Sequence, residues 1–125
     1  MYEVTIRKSF SAAHKLDIGG KCEELHGHNF FVDVTIGTSE LNSEGLVIDF
    51  RVLKAWTSDI LEDLDHTFLN DLPFFQGTNP SSETIARYIY EKLEERLTSD
   101  TLVISHVTVW ESENAWARYR GAKRG

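Results

Sequence analysis

The sequence predicts an α+β fold in which two helices pack on an antiparallel sheet. Two segments near the start of the chain alternate apolar and polar residues, as half-buried strands do. Two central segments carry apolar residues at helical spacing, and two more alternating segments follow them. The order strands, helices, strands indicates this fold class. Because no linker, repeat or low-complexity segment divides the chain, we expect a single domain over residues 1–125.

The first two predicted strands lie before the helices. The segment from Tyr2 to Phe10 alternates like a half-buried strand. After a glycine-containing loop, the segment from His28 to Ile36 alternates more clearly and places its apolar residues on the face that carries His28. We therefore expect His26 and His28 to project from one side of the beginning of this strand.

The two predicted helices have capping residues at their starts. Asp49 precedes the first helix, which should end near Leu64. Ser81 or Ser82 opens the second, whose apolar residues recur at helical spacing as far as Leu97. The irregular stretch between the helices contains both prolines of the chain, which favours a loop.

The last two strands form a predicted hairpin. Thr101 to Glu111 alternates, with Val103, Val107 and Val109 expected on the face of Glu111. A short polar turn then leads to Ala115 to Tyr119 as the partner strand.

Composition excludes several classes of protein. The chain has 20 acidic and 13 basic residues, a net charge of −7, which disfavours non-specific nucleic-acid binding. Its longest apolar runs are about three residues, against the ~20 needed to span a bilayer, and its start lacks the shape of a signal peptide. We expect a soluble, cytoplasmic protein without membrane or nucleic-acid partners. A single Cys, Cys22, cannot form an internal disulfide.

A candidate metal site lies in the first third of the chain. His26 and His28 flank Gly27 and point the same way on a strand, and His14 is a third candidate. Neutral imidazole is a common zinc ligand, and three His ligands would leave a fourth position for water or substrate, as in catalytic sites.

Two other interpretations of these residues remain open. His26 and His28 could be two surface histidines. Alternatively, Cys22 could be the fourth ligand of a closed structural site, which would make the protein a non-catalytic zinc-stabilised binding module.

Four further residues carry candidate chemistry. Asp65 precedes His66 and could fix its tautomer for proton transfer, although such pairs are also common at solvated helix ends. Glu111 ends an apolar strand face, where a buried carboxylate needs a donor-rich ligand unless the strand has emerged into solvent. Glu83 in a first helical turn is explained by the helix dipole alone.

Together these residues resemble the group of 6-pyruvoyl- and 6-carboxy-tetrahydropterin synthases. The resemblance runs over essentially the whole chain and is carried by Phe10-Ser11-Ala12-Ala13-His14, Cys22 with His26-Gly27-His28, Gly45-Leu46-Val47-Ile48-Asp49-Phe50, Leu64-Asp65-His66 with Phe68-Leu69-Asn70-Asp71, Asn79-Pro80-Ser81-Ser82-Glu83 and Val109-Trp110-Glu111. It implies the tunnelling fold, an antiparallel sheet backed by two helices, assembled into a homohexamer with active sites between subunits.

The resemblance also implies a role for each site residue. The zinc (Zn²⁺) ligands would be His14, His26 and His28, and Cys22 would be a catalytic base off the metal. Asp65 and His66 would transfer protons as a pair. Glu111 would bind the amino-pyrimidinone edge of the pterin, and Ser82 and Glu83 would reach the pterin from a neighbouring subunit. The implied substrate is 7,8-dihydroneopterin triphosphate.

The motif spacing bears on which product is formed. The spacing Cys-x3-His-Gly-His resembles that of the 6-carboxy-tetrahydropterin synthases of queuosine biosynthesis. The resemblance to the pyruvoyl-forming enzymes is weaker, because a longer gap between the Cys and the first His is typical of them. Glu23 also gives Glu-x-x-His-Gly-His, which resembles enzymes forming 6-hydroxymethyl-dihydropterin for folate synthesis. A solvated loop carboxylate is the simpler interpretation of Glu23.

Overall fold

A computed structural model describes residues 1–19 and 24–121, together with the backbone of Lys21 and Cys22. Its strands are β1 (Tyr2–His14), β2 (Asp17–Ile18), β3 (Lys21–Cys22), β4 (His26–Thr38), β5 (Thr67–Phe68), β6 (Val103–Ser112) and β7 (Ala115–Tyr119). Its helices are α1 (Phe50–Glu62) and α2 (Ser82–Arg96), and two 3-10 turns, Leu69–Asp71 and Pro73–Phe75, lie between them.

The main sheet has the strand order β5-β1-β4-β6-β7. Every neighbouring pair is antiparallel except β5 with β1, which is parallel over two residues. Helix α1 packs on β1, and α2 packs on β6 and β7 and against α1. The predicted α+β class is confirmed. In the described part of the chain, neither helix combines the length and apolar character needed to cross a lipid bilayer.

The core lies between the sheet and the helices because β4 alternates as predicted. Phe30, Val32, Val34 and Ile36 are fully buried, whereas the intervening Phe31 is 44% exposed. The polar face of β4 instead carries Asp33, which forms a two-point ion pair with Arg7 of β1. One face of the sheet is therefore covered by helices, and the other presents polar and aromatic side chains.

Both helices begin where the sequence predicts. The Asp49 side chain accepts a hydrogen bond of 2.8 Å from the Arg51 N–H. Ser81, rather than Ser82, caps α2 by accepting from the Thr84 N–H at 3.2 Å. These side chains satisfy amide groups that have no partner within the helix.

The short strands β2, β3 and β5 were not predicted, and β4 extends beyond the predicted segment at both ends. Two further differences concern β1 and β6. β1 continues past Phe10 to His14, because pairing with β4 extends it through small residues that break the alternation. Strand β6 contains a bulge, because Thr35 of β4 pairs with His106 whereas the next residue, Ile36, pairs with Ile104. Ile104, 4% exposed, therefore shares the core face with Val107 and Val109, and the predicted placement of Val103 there is wrong.

Candidate active site

Strand pairing brings the three candidate histidines together at one end of the sheet. His14, the last residue of β1, lies opposite His26, the first residue of β4, and His28 follows two residues later on the same face. The Nε2 atoms of His14 and His26 are 3.1 Å apart. The three rings are in mutual edge contact, with centroids 4.5–5.3 Å apart. The predicted convergence of His26 and His28, with His14 beside them, is observed.

Strand β6 adds a carboxylate to this cluster. The Oε1 atom of Glu111 lies 3.2 Å from Nε2 of His14 and 3.1 Å from Nε2 of His28. All four ligand atoms lie within 4.8 Å of one another. A tetrahedral ion with bonds of about 2.0–2.1 Å separates its ligand atoms by roughly 3.3–3.4 Å. The contacts of His14 with His26 and of Glu111 with His14 and His28, at 3.1–3.2 Å, are near this value, so the four groups are close enough together to hold one ion.

Hydrogen bonds to two of the imidazoles orient their lone pairs into the cluster. Nδ1 of His14 donates to the carbonyl of Pro80, and Nδ1 of His26 donates to the carbonyl of Glu24, each at 2.8 Å. With Nδ1 carrying the proton, Nε2 of each neutral ring is an acceptor. Two acceptors 3.1 Å apart repel each other unless a cation lies between them. Such carbonyl contacts are the usual support of metal-binding histidines.

His28 gives an independent indication of a cation site. Its Nε2 atom is buried and makes no hydrogen bond, although Oε1 of Glu111 is 3.1 Å away. A buried polar atom without a partner is costly. A cation coordinated by both atoms would remove that cost. The residues present therefore fit a divalent metal ion with three nitrogen ligands and one oxygen ligand.

Glu111 was predicted to bind the amino-pyrimidinone edge of a pterin, and its position beside the three histidines was not foreseen from the sequence. The signal was present, since the sequence puts this carboxylate at the end of an apolar strand face. Its position opposite the start of β4 depends on the pairing of β6 with β4, which a single sequence does not specify. The Pro80 carbonyl was also missed, because a backbone acceptor leaves no residue-type signal.

Burial lowers the pKa of His28 below its ordinary value, and the neighbouring His26 and His14 lower it further, whereas the Glu111 carboxylate opposes this shift. We expect His28 of the metal-free protein to titrate below pH 6.5. Its neutral form stabilises the fold above that pH, and the contribution is lost as the pH falls through the folded-state pKa. Glu111→Gln should lower the His28 pKa further, which NMR of the ring protons would measure.

Glu113→Gln is the matched control for that titration, because Glu113 lies in the turn beyond Glu111 and outside the cluster. It should leave the His28 titration unchanged. A His28 pKa above 6.5, or the same pKa in Glu111→Gln as in the parent protein, would contradict the described geometry.

Asp65 and His66 form the predicted pair and bond to the edge of β1 that faces away from β4. Oδ2 of Asp65 lies 3.0 Å from Nδ1 of His66, and Oδ1 of Asp65 accepts from the Ser11 N–H at 2.8 Å. The His66 N–H donates to the Ser11 carbonyl at 2.6 Å. His66 has a positive φ of 58°, uncommon for a residue other than glycine, and its side chain is 83% exposed.

His66 of this pair and His28 of the histidine cluster line the same cleft. Ala12 of β1 pairs with His28 on one side and with Thr67 on the other, so one strand separates the two groups. Adjacent strands are about 4.8 Å apart, which places the backbones near His66 and His28 roughly 10 Å apart. An open cleft of about 430 Å³ is lined by both His28 and His66. A substrate of moderate size could contact both.

The remaining predicted residues are placed less completely. Ser82 and Glu83 begin α2 just beyond Pro80, whose carbonyl contacts His14, so they lie at the cluster end of the molecule. The backbone of Cys22 pairs with Asp17 in the β2–β3 hairpin. The Cys22 side chain and Glu23 lie outside the described residues.

Solved structures with this fold include that of Caenorhabditis elegans 6-pyruvoyl tetrahydropterin synthase. The two chains are 31% identical and superpose with a TM-score of 0.79 over 98% of each. The sheet backed by two helices is therefore the tunnelling fold of pterin synthases.

Residues 3–122 match the family described as 6-pyruvoyl tetrahydropterin synthase, and the chain belongs to this family of pterin synthase enzymes. A Synechocystis relative named 6-carboxy-5,6,7,8-tetrahydropterin synthase is 39% identical, over 89% of this chain and 87% of its own. A Pyrococcus furiosus relative named dihydroneopterin monophosphate aldolase is 35% identical, over 86% of this chain and 88% of its own.

Proposed function

We propose that this protein is a zinc-dependent 6-carboxy-5,6,7,8-tetrahydropterin synthase. It would convert 7,8-dihydroneopterin triphosphate to 6-carboxytetrahydropterin, with release of acetaldehyde and triphosphate, in queuosine biosynthesis. The observation that carries the proposal is the cluster of three imidazoles and one carboxylate arranged around a single point. Membership of the family and the similarity to a named 6-carboxy-tetrahydropterin synthase support the choice of reaction.

Zinc is the metal that best suits these donors. It favours imidazole nitrogen and a tetrahedral shell, whereas magnesium and calcium favour sites made of oxygen ligands. His14, His26 and His28 would hold the ion, with the Pro80 and Glu24 carbonyls fixing two of the rings. When bound, zinc supplies Lewis-acid polarisation of the hydroxyl groups on the substrate side chain.

Glu111 would have different partners before and after the pterin binds. In the described structure its carboxylate lies in the cluster at the corner that a substrate would otherwise occupy. Its side chain is 35% exposed, so it has room to turn towards the cleft. There it would accept hydrogen bonds from the amino-pyrimidinone edge of the pterin. Binding of the pterin would thereby free one corner of the cluster for the substrate hydroxyls.

Proton transfer would be divided between Cys22 and the pair Asp65–His66. A thiolate is favoured beside a cation, and Cys22 would use it to remove a proton from the substrate side chain. Asp65 is held by the Ser11 N–H and contacts Nδ1 of His66, so it would stabilise the protonated ring. His66 would then return a proton at another atom of the side chain.

A homohexamer with active sites between subunits would complete this arrangement. β1 is 13 residues long, but β5 pairs only with Ala12 and Ala13, and the backbone of Ser11 bonds Asp65 and His66. Among the described residues, this leaves the sheet edge at residues 2–10 without a paired strand. Open edges of this length commonly pair with another chain. The exposed His66 would be covered by a neighbouring subunit, and Ser82 and Glu83 would contact a pterin bound across that interface.

A second candidate reaction is cleavage of a dihydroneopterin phosphate to 6-hydroxymethyl-dihydropterin. It is favoured by the similarity to the Pyrococcus furiosus protein named dihydroneopterin monophosphate aldolase and by Glu23 beside Cys22. Formation of 6-pyruvoyl-tetrahydropterin is the third pterin outcome, and a non-catalytic zinc module is the alternative of another class. These candidates differ in product and are separated by one assay.

Mass spectrometry of a reaction with 7,8-dihydroneopterin triphosphate tests the proposal. The zinc-loaded protein should produce 6-carboxytetrahydropterin together with acetaldehyde, and protein stripped by a chelator should produce neither until zinc is restored. A dominant hydroxymethyl or pyruvoyl product would replace the proposed reaction by one of the two others. Absence of any pterin product from zinc-loaded hexamer would contradict all three.

A further inference from the structure

We propose that Asn70 and Asn79 are positioning residues that fix Lys15 and Asp17, and through Asp17 the backbone of Cys22, beside the histidine cluster. Neither residue belongs to the cluster or to the Asp65–His66 pair. The inference rests on the proposed function in two respects, which are that zinc occupies the histidine cluster and that Cys22 acts as the base. It is carried by the hydrogen bonds of the two asparagine side chains.

Each asparagine binds both backbone polar groups of one residue. Oδ1 of Asn70 accepts from the Lys15 N–H at 2.8 Å, and its Nδ2 donates to the Lys15 carbonyl at 2.9 Å. Oδ1 of Asn79 accepts from the Asp17 N–H, and its Nδ2 donates to the Asp17 carbonyl, both at 2.8 Å. A carboxamide has the same donor and acceptor as a peptide group, so it can replace a neighbouring strand.

The two contacts lie on one edge of the segment. Lys15 and Asp17 are two residues apart, so in an extended segment their N–H and C=O groups point to the same side. The next residue, Ile18, faces the other way and pairs with Lys21 in the hairpin of β2 and β3. Asn70 and Asn79 thus occupy the place that a third strand would take beside this hairpin.

The fixed edge determines where the backbone of Cys22 lies. Cys22 pairs directly with Asp17. The N–H and C=O of Asp17 bond Asn79, so they point away from Cys22. Asp17 and Cys22 therefore form a pair without mutual hydrogen bonds, in which the two Cα atoms are only about 4.5 Å apart. Holding Asp17 therefore holds Cys22 one strand away.

The same stretch of chain also sets the metal ligand. Asn79 is followed by Pro80, whose carbonyl orients His14. The segment that begins at Leu69 and ends at Pro80 therefore contacts Lys15 through Asn70, Asp17 through Asn79 and His14 through Pro80. One structural unit would set both the zinc ligand and the distance from the zinc to the base.

Asn79→Asp and Asn70→Asp test the proposal, because each keeps the shape of the side chain, loses the donor and places a carboxylate against a backbone carbonyl. The matched control is Asn42→Asp. Oδ1 of Asn42 accepts from the Glu44 and Leu46 N–H groups, which a carboxylate would retain with the same change in charge. Asn42 lies in the loop after β4, outside the site.

The readouts are the pH dependence of thiol modification, kcat, zinc content and the urea midpoint, all measured on the zinc-loaded hexamer. The chain has one Cys, so a thiol reagent reports on Cys22 alone. We expect Asn79→Asp and Asn70→Asp to move the midpoint of Cys22 reactivity upwards, towards the ordinary thiol pKa of about 8.5. We also expect kcat to fall about 10- to 100-fold, as for other supporting contacts of metal sites. Zinc content and the urea midpoint should match Asn42→Asp.

Two results would overturn the proposal. One is a Cys22 reactivity profile in both variants that coincides with that of Asn42→Asp. The other is loss of zinc or of the folded state in both variants, which would make the asparagines structural. The thiol profile requires no substrate, so failure of the proposed reaction, seen as absent turnover in the parent protein, is distinguishable from failure of this inference.

Discussion

Cys22→Ala is expected to lower kcat by about 10²- to 10⁴-fold, the usual range for removal of a general base, while zinc remains bound. Zinc should stay bound because three imidazoles and Glu111 already offer four ligand atoms, which would fill a tetrahedral shell without the sulfur. Steady-state assays at saturating substrate would give kcat, and metal analysis after gel filtration would give the zinc content. Cys22→Ser is the companion variant, since a hydroxyl keeps the size of the side chain but is a far weaker acid.

A different outcome is expected if Cys22 closes a structural zinc site. Both variants would then lose zinc and conformational stability together, and cobalt-substituted parent protein would show thiolate-to-metal charge transfer. Either finding would contradict the assignment of Cys22 as a base.

His26→Ala is expected to abolish turnover and to weaken zinc binding by more than the roughly 10- to 100-fold seen when only a supporting contact is lost. It removes one corner of the cluster and leaves Nε2 of His14 without its neighbour. Competition with a chromophoric chelator would measure the affinity. Because zinc binds the folded state, the variant should also melt at a lower temperature in the presence of zinc than the parent does.

The matched control is His106→Ala, which removes a histidine of β6 that is outside the cluster and contacts Ser105. This variant should retain the zinc affinity and the turnover of the parent. Equal zinc affinity in His26→Ala and His106→Ala would show that the histidine cluster is not the metal site.

The fold was largely predictable because each element has a local signal. Alternation marked β4, and Asp49 and Ser81 marked the starts of both helices through side chains that cap them. The extent of β1 was not predictable, since residues 11–14 become strand only by pairing with β4. The bulge in β6 was missed for the same reason. Its register shift depends on the pairing with β4, and the alternation of apolar and polar residues in β6 does not indicate it.

The site was predictable in residue type but not in geometry. His26 and His28 could be placed together from their spacing on one strand, whereas the approach of His14 depends on its pairing with His26. Glu111 reaches the cluster from a strand more than 80 residues later in the sequence, so its position beside the three histidines could be known only from the sheet topology. The two asparagine contacts were likewise invisible, because surface asparagines have many ordinary uses.

Zinc K-edge X-ray absorption on the resting, zinc-loaded protein would test most directly whether three imidazoles bind the metal while the thiol stays free. We predict a first shell of nitrogen and oxygen atoms at about 2.0–2.1 Å with the outer-shell pattern of imidazole, identical in the parent and in Cys22→Ala. A sulfur atom at about 2.3 Å in the parent, absent from Cys22→Ala, would contradict it.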